Sequence, residues 1–371
     1  MLLSEKAKKM FKIEKPIAIT MWEFSWIERR WPGAGYEDWD QALTELTDRG
    51  YDAVRIDAFP HLMAWDAHKE WTLKPVWNLQ NWGSQSVNRI TLYDDLREFL
   101  RACRRHNVRV GLSTWFREDL DKTYMSILTP EDHAQIWVKT LNYIKEWGEL
   151  DNILYVDLCN EFPASLWAPF FGRLYGEQKK DAEQSIKWMK AAITEFKKYY
   201  PDIPATFSFS EQIRNIEMDI SYLDFLEQHT WMAQTSEFYS KVGYGVGDPF
   251  FSDTGYTNLA LNGERIYRES KKHYDQCLVD QIHLVAEWAK RWEKPIITTE
   301  CWSVVDYKDW PLLNWDWILD LNKLGVTTAA ETGCYAGIAT SNFCGPQFVG
   351  MWREKDWHLE MTDIIHNSKM I

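Results

Sequence analysis

The chain has 371 residues, of which 45% are hydrophobic and 26% are charged, and this composition excludes fibrous and intrinsically disordered proteins. Its formal net charge of −13 would repel a phosphate backbone, and no Lys/Arg stripe with interleaved aromatic residues offsets it, so nucleic acid is not an expected partner. No apolar run of about 18 residues could span a bilayer, and lysines interrupt the amino-terminal segment where a signal peptide would be apolar. We therefore expect a cytoplasmic protein with no membrane partner.

Short apolar or β-branched runs alternate with amphipathic helical stretches along the chain, a pattern typical of parallel β/α units. Thr129-Pro130 is a helix start signal, and Arg49-Gly50 is a helix stop signal. Eight predicted strands cover residues 16–26, 51–60, 108–115, 153–163, 204–210, 223–231, 295–303 and 327–337, and six predicted helices cover residues 36–49, 92–107, 130–150, 182–200, 273–293 and 314–324.

Eight units of about 46 residues predict an α/β fold, a (β/α)8 TIM barrel that forms one domain over residues 1–371. An open, doubly wound sheet is the competing topology. The chain has no GxGxxG after its first strand and no GxxxxGKS/T motif, and this absence favours the barrel over a nucleotide-binding open sheet. No Pro/Ser-rich linker or internal repeat indicates a second domain.

Three predicted connections after strands are long and rich in aromatic residues, over residues 59–90, 232–272 and 333–358. The chain has 22 tryptophans, and an indole ring offers a flat apolar face with a polar edge, which suits the apolar face and polar rim of a sugar. In a barrel these connections carry the binding residues, so we expect aromatic walls around a carbohydrate site. The first connection carries His61, Trp65, Trp71, Trp77 and Trp82.

Two predicted strands end in a glutamate, Glu161 after ILYVDLCN and Glu300 after PIITT. Such a carboxylate is costly unless it is paired, hydrogen-bonded or used. The two lie 139 residues apart, about three β/α units, so they would face each other across the central pocket. Glycoside hydrolysis needs such a pair, one carboxyl to donate a proton and one to stay ionised. The alternative is that each glutamate pairs with a buried arginine.

Residues 160–163, NEFP, resemble the Asn-Glu-Pro signature of clan A of the glycoside hydrolases, whose best-known members are the family 5 cellulases and mannanases. This resemblance implies a retaining mechanism in which Glu161 is the acid/base and Glu300 is the nucleophile. It also implies that Asn160 binds the sugar 2-hydroxyl and that Arg55, in VRID, keeps the nucleophile ionised.

The sequence QHTW places His229 and Trp231 where the clan has a His-x-Tyr pair whose Tyr touches the nucleophile. Trp231 has no hydroxyl to donate. Phe162 separates Glu161 from the proline, and the predicted eighth strand, with AAETGCYAG, lacks the clan's platform tryptophan. The chain is therefore identified as a divergent, cellulase-like member.

Five further residues are candidate sugar contacts. Trp115, at the end of the third strand, and Trp302, beside Glu300, are predicted stacking platforms. Glu23 closes the first predicted strand. Glu331, in the eighth, either binds two hydroxyls of a terminal sugar, which would make the enzyme exo-acting, or caps a helix or pairs with an arginine. His61 either contacts the sugar or lies in a solvent-exposed loop.

The predicted function is therefore retaining hydrolysis of β-linked glycosides or oligosaccharides, with carbohydrate as the substrate and no cofactor. No HxH or HExxH motif indicates a metal site, and six cysteines without a CxxC pair indicate reduced thiols. The alternative function is a carbohydrate-binding barrel that has lost catalysis, because Trp231 departs from the clan pattern. Transglycosylation, sugar configuration, exo or endo action and oligomeric state stay open.

Overall fold

The computed structural model describes residues 2–77, 82–210, 212–245, 252–307 and 313–371. Within these ranges the strands are β1 Ile17–Glu23, β2 Ala53–Asp57, β3 Glu70–Leu73, β4 Asn88–Thr91, β5 Arg109–Ser113, β6 Ile153–Asp157, β7 Ala205–Thr206, β8 Ser208–Phe209, β9 Leu226–Gln228, β10 Thr230–Trp231, β11 Ile296–Thr298, β12 Cys301–Trp302 and β13 Tyr335–Ile338. The helices are α1 Leu3–Phe11, α2 Ser25–Glu28, α3 Trp39–Thr47, α4 Pro60–Asp66, α5 Leu92–Arg105, α6 Pro130–Glu146, α7 Pro169–Tyr175, α8 Glu183–Lys197, α9 Met232–Thr235, α10 Phe238–Val242, α11 Asp253–Glu269, α12 Lys271–Arg291, α13 Asp316–Thr332, α14 Val349–Trp352 and α15 Lys355–Asn367.

Nine of these strands form one parallel sheet in the order β7-β6-β5-β2-β1-β13-β11-β9-β8. The two outermost strands, β7 and β8, are consecutive parts of one extended segment with Phe207 between them, so the sheet closes on itself. Beyond the short breaks after β9 and β11, β10 and β12 pair with each other. Eight strand positions with intervening helices result, which confirms the predicted (β/α)8 barrel.

The outer helices form where the sequence carries both start signals and an apolar face. Thr129 caps α6: its side chain accepts from the backbone N–H of Asp132, the Asp132 carboxylate accepts from the N–H of Thr129, and Pro130 occupies the first turn. In α5 the apolar side chains, among them Leu96 and Phe99, are buried, and the arginines of its last turn point outward.

The strands are buried on both faces, as β2 and β6 show with every residue buried. This burial explains why most of them appear in the sequence as continuous apolar runs. Charged side chains such as Arg55 and Asp157 interrupt the apolar interior, and both lie on strands near their carboxyl ends. The barrel thus holds a buried polar cluster where a TIM barrel carries its site.

Two sequence predictions about local structure are wrong. Residues 327–332 belong to α13 and not to the eighth strand, which is β13; α13 ends where Gly333 adopts a left-handed conformation with φ 69°. The β-branched run VTTAAET resembles a strand start, but it packs as the last turns of the helix. The predicted long connection over 232–272 contains a 17-residue helix, α11.

Across the residues that the structure describes, no helix combines the length and the apolar character needed to cross a membrane.

Candidate active site

Glu161 and Glu300 meet at the carboxyl end of the barrel. Glu161 follows β6, Glu300 lies between β11 and β12, and these strands are three positions apart around the sheet. One carboxylate oxygen of each glutamate and one ring nitrogen of His229 lie within 4.8 Å of one another. The structure therefore brings together the two glutamates that the sequence predicts to face each other.

Arg55 connects Glu300 to the interior of the barrel. Its Nη1 donates to Glu300 Oε1 at 2.9 Å, and its Nη2 donates to Asp157 Oδ2 at 2.6 Å and to Asn160 Oδ1 at 2.7 Å. Burial lowers the pKa of this guanidinium, but the charges of Glu227, Asp157 and Glu300 outweigh burial and raise it. Arg55 is therefore a permanent buried cation beside Glu300.

His229 lies between the two glutamates. Its Nδ1 is 2.9 Å from Glu161 Oε1 and 3.7 Å from Glu300 Oε1, and its Nε2 is 3.7 Å from Glu227 Oε1. Burial lowers the pKa of this imidazole, but the surrounding carboxylates, Glu300 first, raise it to about 10. At neutral pH His229 is thus a second buried cation.

The two glutamates have opposite pKa shifts. Burial raises the pKa of Glu161, but the hydrogen bond and charge of His229, with smaller contributions from Trp167 and Arg55, lower it overall. Burial raises the pKa of Glu300, and the nearby Glu161 raises it further, against the opposing charges of His229 and Arg55. The carboxyls and His229 lie close enough to titrate as one group.

The cavity above the glutamates has a volume of about 380 Å³, and six of the fourteen described residues that line it are aromatic. Trp167 donates from Nε1 to Glu161 Oε2 at 2.9 Å, and Trp77 packs edge-on against Trp167 with 5.1 Å between ring centroids. Trp115 lies 4.6 Å from the Arg55 guanidinium. The aromatic residues of the wall are Trp77, Trp82, Trp115, Trp167, Trp231 and Tyr239.

Two further acids, Glu23 and Asp306, lie in the cavity wall. Burial raises the pKa of Glu23 to about 8, against hydrogen bonds from Ser25 and from the backbone of Gly83. Burial also raises the pKa of Asp306 to about 8, although the Tyr244 hydroxyl donates to it. Both acids are therefore mostly protonated at neutral pH.

Several buried polar atoms of the cavity region have no hydrogen-bond partner among the residues that the structure describes. They are Asn160 Nδ2, Trp231 Nε1, Trp82 Nε1 and Glu23 Oε2. Buried polar atoms in native structures nearly always have a partner, so this group favours a bound molecule that is itself rich in hydroxyls.

A family model described as "Sugar-binding cellulase-like" matches residues 19–366. The chain belongs to the cellulase-like family. The match covers the barrel from β1 to α15, including both glutamates and Arg55. The match confirms the prediction, made from the NEFP segment, of a divergent, cellulase-like member.

Three solved structures share the fold of this chain. A candidate glycoside hydrolase from Parabacteroides distasonis ATCC 8503 has 49% identity and a TM-score of 0.93, over 96% of this chain and 95% of that one. The endo-β-1,4-mannanase from Thermotoga petrophila has 12% identity and a TM-score of 0.55, over 96% and 78%. GH5_18 from Streptomyces cattleya, solved with GlcNAc, has 11% identity and a TM-score of 0.50, over 88% and 70%. None of the curated proteins matches the chain.

Three residues predicted to contact sugar in this cellulase-like chain do not line the cavity. Trp302 is fully buried, donates to the Ala339 carbonyl at 2.9 Å and packs against α13 beside Gly325, so it cannot be a platform. His61 is buried in α4, where Nε2 lies 3.1 Å from the Arg117 carbonyl. Glu331 is exposed on α13, because the strand predicted around it is a helix.

The other predicted residues lie at the cavity or directly beneath it. Glu23, Trp115 and Trp231 line it with the two glutamates. Asn160, Arg55 and His229 form the hydrogen bonds and ion pairs below. Asp157 is a buried partner of Arg55, at 2.6 Å.

Sequence reasoning missed Glu227, Trp167 and Asp306. Glu227 is fully buried, accepts from Thr299 Oγ1 at 2.5 Å and lies 3.6 Å from Arg55 Nε. A charged residue in the apolar strand LDFLEQHTW, two positions before His229, was an available signal. Trp167 and Asp306 follow strand ends without any pattern, and only the tertiary fold places them in the wall.

The cluster of Glu161, His229 and Glu300 has the spacing of a metal site, but its contacts do not suit a cation. His229 and Arg55 already neutralise the two carboxylates, and the raised pKa of His229 keeps its ring protonated and unable to ligate. These residues fit acid–base chemistry better than metal binding.

Proposed function

We propose that the protein is a retaining glycoside hydrolase that cleaves β-linked glycosides or oligosaccharides. The supporting observation is the closeness of Glu161 and Glu300, whose nearest oxygens lie within 4.8 Å. Carboxyls about 5 Å apart are typical of retaining enzymes, whereas inverting enzymes need about 6.5–9.5 Å to hold a water between them.

In the proposed first step, Glu300 attacks the anomeric carbon while Glu161 protonates the glycosidic oxygen. Arg55 binds Oε1 of Glu300, which leaves Oε2 for the attack. The C–O bond to the leaving group breaks as the bond to Glu300 forms, and a covalent glycosyl-enzyme results. In the second step Glu161 removes a proton from a water molecule whose oxygen attacks the anomeric carbon. The bond to Glu300 breaks, and the sugar leaves with retained configuration.

The proposed first step needs a proton on Glu161. Four buried carboxyls, those of Asp157, Glu161, Glu227 and Glu300, surround the cations Arg55 and His229. Of the two proposed catalytic carboxyls, Glu300 has the raised pKa and Glu161 the lowered one. We infer that a sugar bound over Glu300 favours protonation of Glu161, where the leaving oxygen can accept the proton.

Residues at the cavity support a sugar as the substrate. Asn160 Nδ2 has no hydrogen-bond partner among the described residues and lies beside Arg55, and we infer that it donates to a hydroxyl next to the anomeric carbon. Trp115 and Trp167 offer faces for the apolar side of a pyranose. The structural relatives include a β-1,4-mannanase and a protein solved with GlcNAc, which supports a β-linked sugar as the substrate class.

The proposal is tested by intact mass after incubation with activated 2-deoxy-2-fluoro β-glycosides of gluco, manno and galacto configuration. These compounds slow the second step, so the glycosyl-enzyme accumulates. We expect a mass increase of one fluorosugar that maps to the peptide with Glu300. Glu300→Gln should take up no label, and the matched control Glu331→Gln, on the exposed face of α13, should label like the wild type.

A label on Glu161 would overturn the assignment, because Glu161 would then be the nucleophile and Glu300 the acid/base. An absence of label and of turnover, together with oligosaccharide binding measured by calorimetry, would instead favour the carbohydrate-binding barrel.

A further inference from the structure

Glu23 is a buried carboxyl of the cavity wall that has no role in the proposed mechanism. It is the last residue of β1, it is 1% exposed, and it lines the cavity with Glu300. Its Oε1 accepts from the Ser25 hydroxyl and, at 3.1 Å, from the backbone N–H of Gly83. Its Oε2 is buried and has no partner in the described chain. Such an atom costs free energy unless a bound group satisfies it.

The Gly83 contact depends on a residue without a side chain. Gly83 has φ +64°, and a Cβ there would lie 2.7 Å from Phe24 Cε2. Glycine therefore lets the backbone N–H approach Glu23 closely. With Ser25 on the same oxygen, this contact fixes the carboxyl and leaves Oε2 without a hydrogen bond among the described residues.

In the sheet, Glu23 lies nearer to the strand of Glu300 than to the strand of Glu161. In the sheet, β1 is two positions from β11, which precedes Glu300, and three positions from β6, which precedes Glu161. The charge of Glu300 acts on Glu23. In the proposed mechanism the sugar bonded to Glu300 is the glycone, whereas the leaving group lies toward Glu161.

We propose that Glu23 binds a hydroxyl of the glycone sugar and thereby determines which sugar configuration the protein accepts. This inference rests on the proposed function. A hydroxyl group can both donate to and accept from a carboxyl, and a site built around such a contact discriminates strongly against a sugar that lacks the hydroxyl.

The protonation state of Glu23 suits this contact. Burial raises its pKa to about 8, and the charged or titratable groups that face it are Arg29, which lowers the pKa, Tyr36 and Glu300, which raises it. Because Oε1 accepts two hydrogen bonds, the acid proton belongs on Oε2. At neutral pH Glu23 thus presents an O–H donor, and in alkaline solution it presents an acceptor only.

The test compares wild type, Glu23→Ala, Glu23→Gln and the control Glu331→Gln on nitrophenyl β-glycosides of gluco, manno and galacto configuration and their monodeoxy analogues. For the best sugar, we expect one deoxy position to lower the wild-type kcat/KM by about 10- to 100-fold. Glu23→Ala should lower kcat/KM on the parent sugar by a similar factor. On that deoxy analogue, its kcat/KM should equal that of the wild type. Glu331→Gln should match the wild type throughout.

Glu23→Gln separates recognition from a merely structural role. Its amide can accept at Oε1 and donate from Nε2 as the protonated acid does, so it should restore part of the discrimination lost in Glu23→Ala. The parent-to-deoxy ratio of the wild type should change between pH 7 and pH 9, because Glu23 changes from donor to acceptor, whereas that of Glu23→Gln should stay constant, since the amide does not titrate.

A parent-to-deoxy ratio that Glu23→Ala leaves unchanged, in an active enzyme, would overturn the role of Glu23 while the proposed function stands. If the wild type cleaves none of the glycosides, the proposed function fails instead. In that case, calorimetry measures the affinities of wild type and Glu23→Gln for the same parent and deoxy sugars. The parent-to-deoxy ratio of these affinities then tests whether Glu23 recognises the hydroxyl.

Discussion

The floor and the wall of the cavity bury carboxyl groups in opposite ways. The floor is the cluster of Arg55, Asp157, Glu161, Glu227, His229 and Glu300. The wall acids are Glu23 and Asp306. In the floor every carboxyl lies within 3.6 Å of an arginine or histidine nitrogen. Within the described part of the chain, no Lys, Arg or His nitrogen lies within 4.0 Å of Glu23 or Asp306.

The difference shows that burial alone does not set the charge of a carboxyl. Desolvation raises the pKa of the carboxyls in both places. In the floor, the cations Arg55 and His229 offset much of this increase, whereas the neutral hydrogen-bond donors of the wall do not. In the floor the pKa values of Glu161 and Glu227 are therefore lowered, although those of Asp157 and Glu300 stay raised. The wall holds acids that are mostly neutral at pH 7 and can hydrogen-bond to hydroxyls.

The sharpest way to break the floor is to remove the proposed nucleophile. Glu300→Gln keeps the size of the side chain but cannot form the covalent bond, so we expect kcat on a nitrophenyl glycoside to fall by about 10⁴-fold or more. Steady-state kinetics at saturating substrate checks this. Turnover above about a tenth of the wild-type value would contradict the role of Glu300.

Arg55→Lys keeps the positive charge of the floor but removes the forked guanidinium group that binds several partners at once. A single ammonium group cannot reach Glu300, Asp157 and Asn160 together, as the two terminal nitrogens of Arg55 do. We expect kcat to fall by about 100-fold and the free energy of unfolding by about 2–4 kcal/mol, since buried partners lose their contacts.

Arg104→Lys is the matched control for this change. Arg104 pairs with Glu149 at 2.7 Å, but its side chain is 46% exposed, so the substitution should alter stability by less than about 1 kcal/mol and leave kcat unchanged. Equal effects of the two substitutions on unfolding and turnover would show that the floor needs only a positive charge and not the guanidinium fork.

The floor was largely predictable from the sequence, and the wall was not. Glu161, Glu300, Arg55 and His229 interrupt apolar strands, and a charge in a strand buried on both faces has few roles other than pairing or catalysis. Their order along the chain also predicts their place around a barrel. The barrel itself followed from eight alternating units.

The wall depends on contacts between segments that the sequence leaves far apart. Trp302 was predicted to be a platform because it follows Glu300, yet its ring points away from the cavity and lies against α13. Trp167, which nothing in the sequence distinguished from other tryptophans, contacts Glu161 directly. The prediction that Glu331 lies on the eighth strand was wrong for a local reason, because the β-branched residues at the end of α13 resemble a strand in the sequence.

The smallest expected effect comes from the wall acid Asp306. Its pKa in the folded protein is raised from 3.8 to about 8, so the folded state binds the proton more tightly than the unfolded state does. The stability that this proton contributes is complete below about pH 4 and is lost as the pH rises to about 8. Asp306→Asn removes this dependence, since the amide stays neutral and can still accept from Tyr244.

We therefore expect Asp306→Asn to have nearly the wild-type Tm at pH 5 and a Tm about 2–4 °C higher at pH 8.5. Glu331→Gln should track the wild type at both pH values. In the floor, Asp157→Asn should destabilise the protein at both, because it removes a charge that faces Arg55 at 2.6 Å. Calorimetric scans at the two pH values check all three variants. A gain in Tm for Asp157→Asn, or none for Asp306→Asn at pH 8.5, would show that the two groups of acids are not held in different charge states.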